Sequence, residues 1–172
     1  PTMRSAAFFR TLGAACLVSA APLRLDAADL ASVPAASAPV ADPVPRGDWP
    51  QYGRTPSEQR YSLLDAINVG TVDRLGLAWH QDLPSMRGEE ATPLVIDGIM
   101  YVTTNWSRVG ALDAATGKVL WQYDPGVPGK FASRGCCDTV NRGAAYWKGR
   151  IYFGTFDGRL IALDARTGHL VW

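Results

Sequence analysis

The chain has 172 residues and a formal net charge of +1; 47% of its residues are hydrophobic and 19% are charged. This is ordinary globular composition, and without a basic excess it argues against a nucleic-acid partner. The 6 Trp and 17 Gly are many for this length, and both recur at regular positions. An internal repeat is therefore the first feature to look for.

Residues 1–28 have the pattern of a secretory signal peptide. A positively charged lead-in precedes residues 11–21, an apolar run of small residues that is too short to span a membrane stably. Residues 29–46 are rich in Ala and Pro and predict a flexible linker. We therefore expect a periplasmic protein whose folded part covers residues 47–172. Small residues that fit a cleavage site lie near Ala21, Ala28 and Ala38.

Export bears directly on the cysteines. Cys16 lies in the leader, and Gly13 stands where a lipidation signal would have a larger apolar residue. Removal of the leader leaves two adjacent cysteines, Cys136 and Cys137. In an oxidising compartment they can pair with each other or between chains, and two buried thiols are the alternative. Joining neighbours strains the backbone by a few kcal/mol, so such a bond would point to a functional role.

The folded part contains a repeat. Residues 92–121 align without a gap on residues 143–172, a spacing of 51 residues, and 11 of the 30 aligned positions are identical. In the first unit an Asp97-Gly98 dipeptide predicts a two-residue hairpin turn. A later turn, residues 113–117, offers Asp to bond the turn backbone and Gly to supply positive φ. The predicted strands of this unit cover residues 92–96, 99–104, 108–112 and 118–123.

Four short antiparallel strands at a period near fifty are typical of a β-propeller blade. Trp121 ends the first unit, and its ring can pack on the neighbouring blade while the indole N–H finds a carbonyl. Residues 75–83 alternate like a strand around Trp79 and resemble the outer strand of an earlier unit. A short helical turn is expected within residues 63–75. Because a propeller needs at least four blades and residues 47–172 supply about two and a half, we expect part of a longer protein.

On these residues the chain resembles the periplasmic quinoprotein alcohol dehydrogenases, the methanol and ethanol dehydrogenase-like enzymes that use pyrroloquinoline quinone (PQQ). Residues 111–121 and 162–172 are similar to the tryptophan-docking motif of that family, with His169 where Lys is usual. The segment Gly-Cys-Cys-Asp-Thr-Val-Asn-Arg-Gly, residues 135–143, is far more specific. So is the opening Gly-Asp-Trp-Pro-Gln-Tyr-Gly-Arg of the folded part.

The resemblance implies an all-β fold, an eight-bladed propeller of which this chain supplies the N-terminal part. It also implies that PQQ lies flat between a tryptophan and a vicinal disulfide, which Cys136 and Cys137 match. Glu90 and Arg142 match residues that contact the cofactor. The chemistry of the residues agrees, because PQQ is a polyanionic quinone and Arg offers a planar charged fork to carboxylate and quinone oxygens.

The remaining chemistry of the family matches no residue of this chain. The resemblance implies a Ca²⁺ ion that polarises the quinone, an Asp that removes the alcohol proton, and hydride transfer that converts a primary alcohol to an aldehyde. We expect the metal ligands and the base beyond Trp172, so this piece alone should be inactive. A cytochrome c or a membrane quinone-reducing subunit is the expected electron acceptor, and the presence of a haem c domain stays open.

A cofactor-free propeller that serves as an envelope assembly scaffold is the competing hypothesis. Such a protein would need the docking residues Asp113, Gly117 and Trp121. It would have no use for adjacent cysteines placed near Glu90 and Arg142. The sequence therefore favours the enzyme.

Overall fold

The computed structural model of the protein describes residues 44–83 and 85–172. The predicted signal peptide, residues 1–28, and the linker up to residue 43 lie outside the described residues. No helix in the described part of the chain is long and apolar enough to cross a membrane. Residues 44–83 and 85–172 contain seven strands: β1 (Leu94–Ile96), β2 (Ile99–Thr103), β3 (Val109–Asp113), β4 (Val119–Tyr123), β5 (Ala145–Trp147), β6 (Arg150–Gly154) and β7 (Leu160–Asp164). The same residues contain three short 3₁₀ helices, Val72–Arg74, Asn105–Ser107 and Gly129–Arg134.

The strands form two antiparallel sheets that follow chain order. The first sheet has the order β1-β2-β3-β4 and the second the order β5-β6-β7. The four strands predicted for the first unit are thus confirmed, with ends that differ by one or two residues. The fourth strand of the second unit is reduced to one isolated bridge between Leu163 and Leu170.

The turns have the chemistry that the sequence predicts. Asp97 and Gly98 both take positive φ, at 50° and 75°, as a tight hairpin between β1 and β2 requires. In the later turn the Asp113 carboxylate accepts hydrogen bonds from the Thr116 N–H at 2.8 Å and the Thr116 hydroxyl at 2.7 Å. These bonds hold the pKa of Asp113 below its ordinary value. The second unit repeats the arrangement at Asp164.

The tryptophan that ends each unit docks on the next one. The indole N–H of Trp121 donates to the Ala165 carbonyl at 3.0 Å, and that of Trp79 donates to the Ala114 carbonyl at 3.2 Å. Each ring lies directly over the glycine of the receiving turn, Gly168 or Gly117, where a Cβ atom would fall within 2.6 Å of ring carbon. The predicted docking is confirmed, and it makes glycine necessary at these two positions.

The core lies between the two sheets. Its buried side chains come from both units, and Tyr101 spans them by donating its hydroxyl to the Ala165 carbonyl at 3.2 Å. Burial raises the pKa of Tyr101 to about 12. Each fully buried aliphatic or aromatic side chain contributes on the order of 1.5–3 kcal/mol. The buried cluster consists of Leu94, Ile96, Tyr101, Val109, Ala111, Ile151, Phe153, Ile161, Leu163 and Ala165.

The segment before the repeat is attached to the first sheet. Trp49 forms an antiparallel bridge with Val95 of β1, with N–H to carbonyl distances of 2.7 and 3.0 Å. Arg54 is 4% exposed, and its guanidinium donates to the carbonyls of Pro45 and Asp48. β1 therefore has a neighbour on each side, with β2 on one side and Trp49 on the other.

The prediction of a strand at residues 75–83 is wrong. These residues form no strand, and Leu77 is 82% exposed. A strand exists only by pairing with a neighbour, and the described residues supply no partner for this segment. Trp79 nevertheless docks as an outer-strand tryptophan would. The expected helical turn is the 3₁₀ helix Val72–Arg74.

We expect Gly168→Ala to destabilise the complete protein more than Gly149→Ala. Both glycines have left-handed backbone, with φ of 71° and 75°, so either alanine costs about 1–2 kcal/mol for its conformation. Only at Gly168 would the new Cβ overlap the Trp121 ring, which adds about 1–3 kcal/mol of overpacking. Denaturant unfolding of the two variants measures the difference. Equal losses would contradict the docking contact.

Candidate functional site

The predicted site residues lie on two segments that run side by side. Glu90 precedes β1, and Arg142 belongs to the loop that joins the last 3₁₀ helix to β5. The Thr92 N–H donates to the Arg142 carbonyl at 3.3 Å, which ties the loop to the entrance of β1. Residues 52 positions apart in the sequence are thus brought to one place.

Glu90 and Arg142 form an ion pair. Arg142 Nη2 lies 3.0 Å from Glu90 Oε2, and the two side chains are 66% and 46% exposed. Ion pairs this exposed contribute about 0–1 kcal/mol to stability. The pair is therefore of little use to the fold, and both groups stay open to an incoming ligand.

The preceding residue, Glu89, has a different partner. Its carboxylate accepts a hydrogen bond from the backbone N–H of Asn105 at 3.0 Å, at the start of a 3₁₀ helix. Burial raises the pKa of Glu89 in spite of that bond. Glu89 thus has a backbone partner, and Glu90 is the carboxylate that meets Arg142.

Cys136 and Cys137 are paired with each other in the structure, with Cα atoms 3.8 Å apart. Both residues are exposed, so their sulfur atoms serve no core. They lie in the same loop as Arg142. The structure thus pairs Glu90 with Arg142 and Cys136 with Cys137, and it places the two cysteines in the same loop as Arg142.

The loop is anchored by contacts that the sequence did not suggest. Asn141 donates from Nδ2 to the Gly154 carbonyl at 2.9 Å, and its Oδ1 accepts the Gly143 N–H at 3.0 Å. Asp138 forms an ion pair with Arg87. The sequence signal for this pair is weak: the two residues have opposite charge and stand 51 positions apart, the spacing of the repeat, but both precede the aligned units.

The residues present fit a flat, anionic, carboxylate-bearing ligand. Cys136 and Cys137 offer an exposed pair of polarizable sulfur atoms. Arg142, in the same loop, offers a planar fork of N–H donors, and such forks bind carboxylates in a bidentate manner. Within the described part of the chain, no group of three or more His, Cys, Asp or Glu residues is placed to hold a metal ion.

Repeated antiparallel sheets with docked tryptophans define the chain as part of a β-propeller. Residues 49–172 match the family model "PQQ: Glucose/ethanol/alcohol dehydrogenase, beta-propeller domain". The chain belongs to this family.

Similar proteins are named as alcohol dehydrogenases. The dehydrogenase subunit of the quinone alcohol dehydrogenase of Gluconobacter oxydans (strain 621H) is 70% identical over 126 residues, 73% of this chain and 17% of that protein. The quinohemoprotein alcohol dehydrogenase of Comamonas testosteroni is 51% identical over 168 residues, 98% of this chain and 22% of that protein. This chain thus spans about a fifth of the length of these relatives.

Solved structures agree with the fold. The crystal structure of the Comamonas testosteroni enzyme has a TM-score of 0.71 and 55% identity, and the match covers 75% of this chain and 19% of that one. A europium-containing methanol dehydrogenase has a TM-score of 0.69 and 40% identity, with 74% of this chain and 23% of that chain covered. The β-propeller fold expected from the repeat is confirmed.

We expect Cys136 and Cys137 to be joined in protein exported to an oxidising compartment. They are adjacent, and the structure pairs their sulfur atoms. Intact mass after alkylation should show no label before reduction and two labels after it. The Cys137→Ser variant, which leaves a lone thiol, should take one label without reductant. Two labelled thiols in unreduced wild-type protein would contradict the pairing.

Proposed function

We propose that this chain is the N-terminal part of a periplasmic, PQQ- and calcium-dependent alcohol dehydrogenase that oxidises primary alcohols to aldehydes. The observation that carries the proposal is the grouping of an exposed adjacent-cysteine pair with the accessible ion pair of Glu90 and Arg142. The names of the relatives, which are alcohol dehydrogenases, support the same reaction class.

The residues of this chain would bind and orient the cofactor. Arg142 would donate to carboxylate or quinone oxygens of PQQ, since its guanidinium is 66% exposed and held by one exposed carboxylate. Glu90 would keep the guanidinium aimed across the site while the cofactor is absent. A ligand carboxylate can compete for the same N–H donors at little cost, because the exposed pair is weak.

Cys136 and Cys137 would form a flat wall of the site. The polarizable sulfur atoms would lie against one face of the ring system, and the joined pair has little freedom to move away. The chemistry that PQQ supplies when bound is the acceptance of hydride from the alcohol carbon. The part played by this chain is therefore to position the cofactor and to cover one of its faces.

The other parts of the proposal concern the complete protein. Calcium is proposed as the metal, and a solved relative described as europium-containing makes a lanthanide the comparison to test. The proposed electron acceptor is a cytochrome c or a membrane quinone-reducing subunit. Periplasmic localisation is proposed from the leader pattern of residues 1–28.

Arg142→Ala in the complete protein should weaken the response to PQQ about ten- to hundredfold. The variant removes a charge-assisted contact of roughly 1.5–3 kcal/mol to an anionic cofactor. The fold should survive, because the ion pair with Glu90 is exposed. The measurement is alcohol-dependent dye reduction titrated with PQQ at saturating Ca²⁺, repeated with a lanthanide, together with a melting curve.

Arg150→Ala is the matched control. Arg150 is also an exposed arginine, but it lies at the start of β6, in register with Asp164. It should leave the PQQ response unchanged within about twofold. Absence of PQQ-dependent turnover with any small alcohol in the wild-type protein would refute the proposed function and favour the scaffold.

A further inference from the structure

Arg87 contacts the loop of residues 135–144, which carries Cys136 and Cys137 and is called the cysteine loop. Its Nη1 donates to Asp138 Oδ1, and Asp138 follows Cys137 in the chain. Asp138 has left-handed backbone, with φ of 67°, a conformation that most residues adopt only when their surroundings hold it. The ion pair thus acts on the residue at which the backbone turns away from the disulfide.

Arg87 also reaches the loop through Trp106. The guanidinium lies over the indole ring, 5.5 Å from its centroid, a cation–π arrangement. The backbone N–H of Trp106 donates to the Thr139 carbonyl at 2.9 Å. Arg87 therefore contacts Asp138 and also packs on Trp106. The N–H of Trp106 in turn binds the carbonyl of Thr139, the residue after Asp138.

Arg87 is itself held in place. Its backbone N–H donates to the Ser85 hydroxyl at 2.9 Å, and Ser85 contacts the amide of the buried Asn105. The backbone N–H of Thr139 lowers the pKa of the Asp138 carboxyl, and Arg87 and the N–H of Gly88 lower it further.

The energy of the Arg87–Asp138 pair is too small to matter for overall stability. The two side chains are 47% and 34% exposed, a range in which an ion pair contributes about 0–1 kcal/mol. Its effect must therefore be local, on the conformation of the loop. Two ion pairs, Arg87–Asp138 and Glu90–Arg142, connect the segment before β1 to the two ends of this loop.

We propose that Arg87 is a positioning residue for the cofactor site: through Asp138 and Trp106 it fixes the loop conformation in which Cys136 and Cys137 are joined and face the ligand. Arg87 acts through the loop and does not itself belong to the set of cofactor contacts. The part of this inference that concerns PQQ rests on the proposed function. The part that concerns the disulfide stands without it.

The first test measures the reduction potential of the Cys136–Cys137 disulfide in the complete apoprotein. In a dithiothreitol redox buffer, reduction transfers two electrons and two protons from the dithiol to Cys136–Cys137, and dithiothreitol becomes its cyclic disulfide. If Arg87 stabilises the joined conformation, Arg87→Met should make the bond about fivefold easier to reduce at equilibrium. That change corresponds to a potential about 20 mV less negative. Asp138→Asn, nearly isosteric, should give the same shift, and the double variant should be no worse than either single one.

Two comparison variants separate positioning from general damage. Arg108 forms an ion pair of similar exposure with Asp124, so Arg108→Met should leave the potential unchanged. Arg87→Lys keeps a positive charge for Asp138 and should recover most of the shift. Melting curves should coincide within a few degrees for all variants. If Arg87→Met unfolds the protein, Asp138→Asn decides the question alone.

The second test is PQQ binding by the apoprotein, followed by quenching of tryptophan fluorescence. Arg87→Met and Asp138→Asn should bind PQQ about tenfold more weakly than wild type, and Arg108→Met as wild type. An unchanged potential in the Arg87 and Asp138 variants, a shift as large in Arg108→Met, or additive shifts in the double variant would overturn the proposal. A wild-type apoprotein that binds no PQQ would refute the proposed function. The reduction potentials of the disulfide would still show whether Arg87 stabilises the joined conformation.

Discussion

The docking of a tryptophan on the following unit is the contact on which the rest of the structure depends. Trp121 places its indole N–H on the Ala165 carbonyl and its ring on Gly168. The same carbonyl accepts the Tyr101 hydroxyl, so the first sheet is bonded twice to one atom of the second. This contact sets the spacing of the sheets and buries the core between them.

Fixed spacing has a consequence for the site. The segment before β1 lies beside the loop before β5, so residues about fifty positions apart meet there. Arg87 meets Asp138 at an offset of 51 residues, and Glu90 meets Arg142 at an offset of 52. Both pairs are too exposed to contribute much to folding. Asp138 and Arg142 lie in the same loop as Cys136 and Cys137, and the proposed roles of the two ion pairs rest on that placement.

Two adjacent glutamates have different partners. Glu89 is bonded to the Asn105 N–H, whereas Glu90 pairs with the accessible Arg142. The sequence alone does not show which of two consecutive glutamates has which partner. The separation depends on which backbone donor lies nearby, and that donor belongs to a 3₁₀ helix after β2.

The sequence by itself determined the strands of the first unit, the Asp97-Gly98 hairpin and the docking of Trp121, because these follow from local alternation, turn chemistry and a repeat. Through family resemblance it also predicted Glu90, Cys136, Cys137 and Arg142 as cofactor contacts, and these roles stay predictions. Only the tertiary structure decided that residues 75–83 form no strand, and that Arg87 contacts both Asp138 and Trp106. These outcomes depend on which distant segments pack together, and neither propensity nor spacing within one segment specifies a partner about fifty residues away.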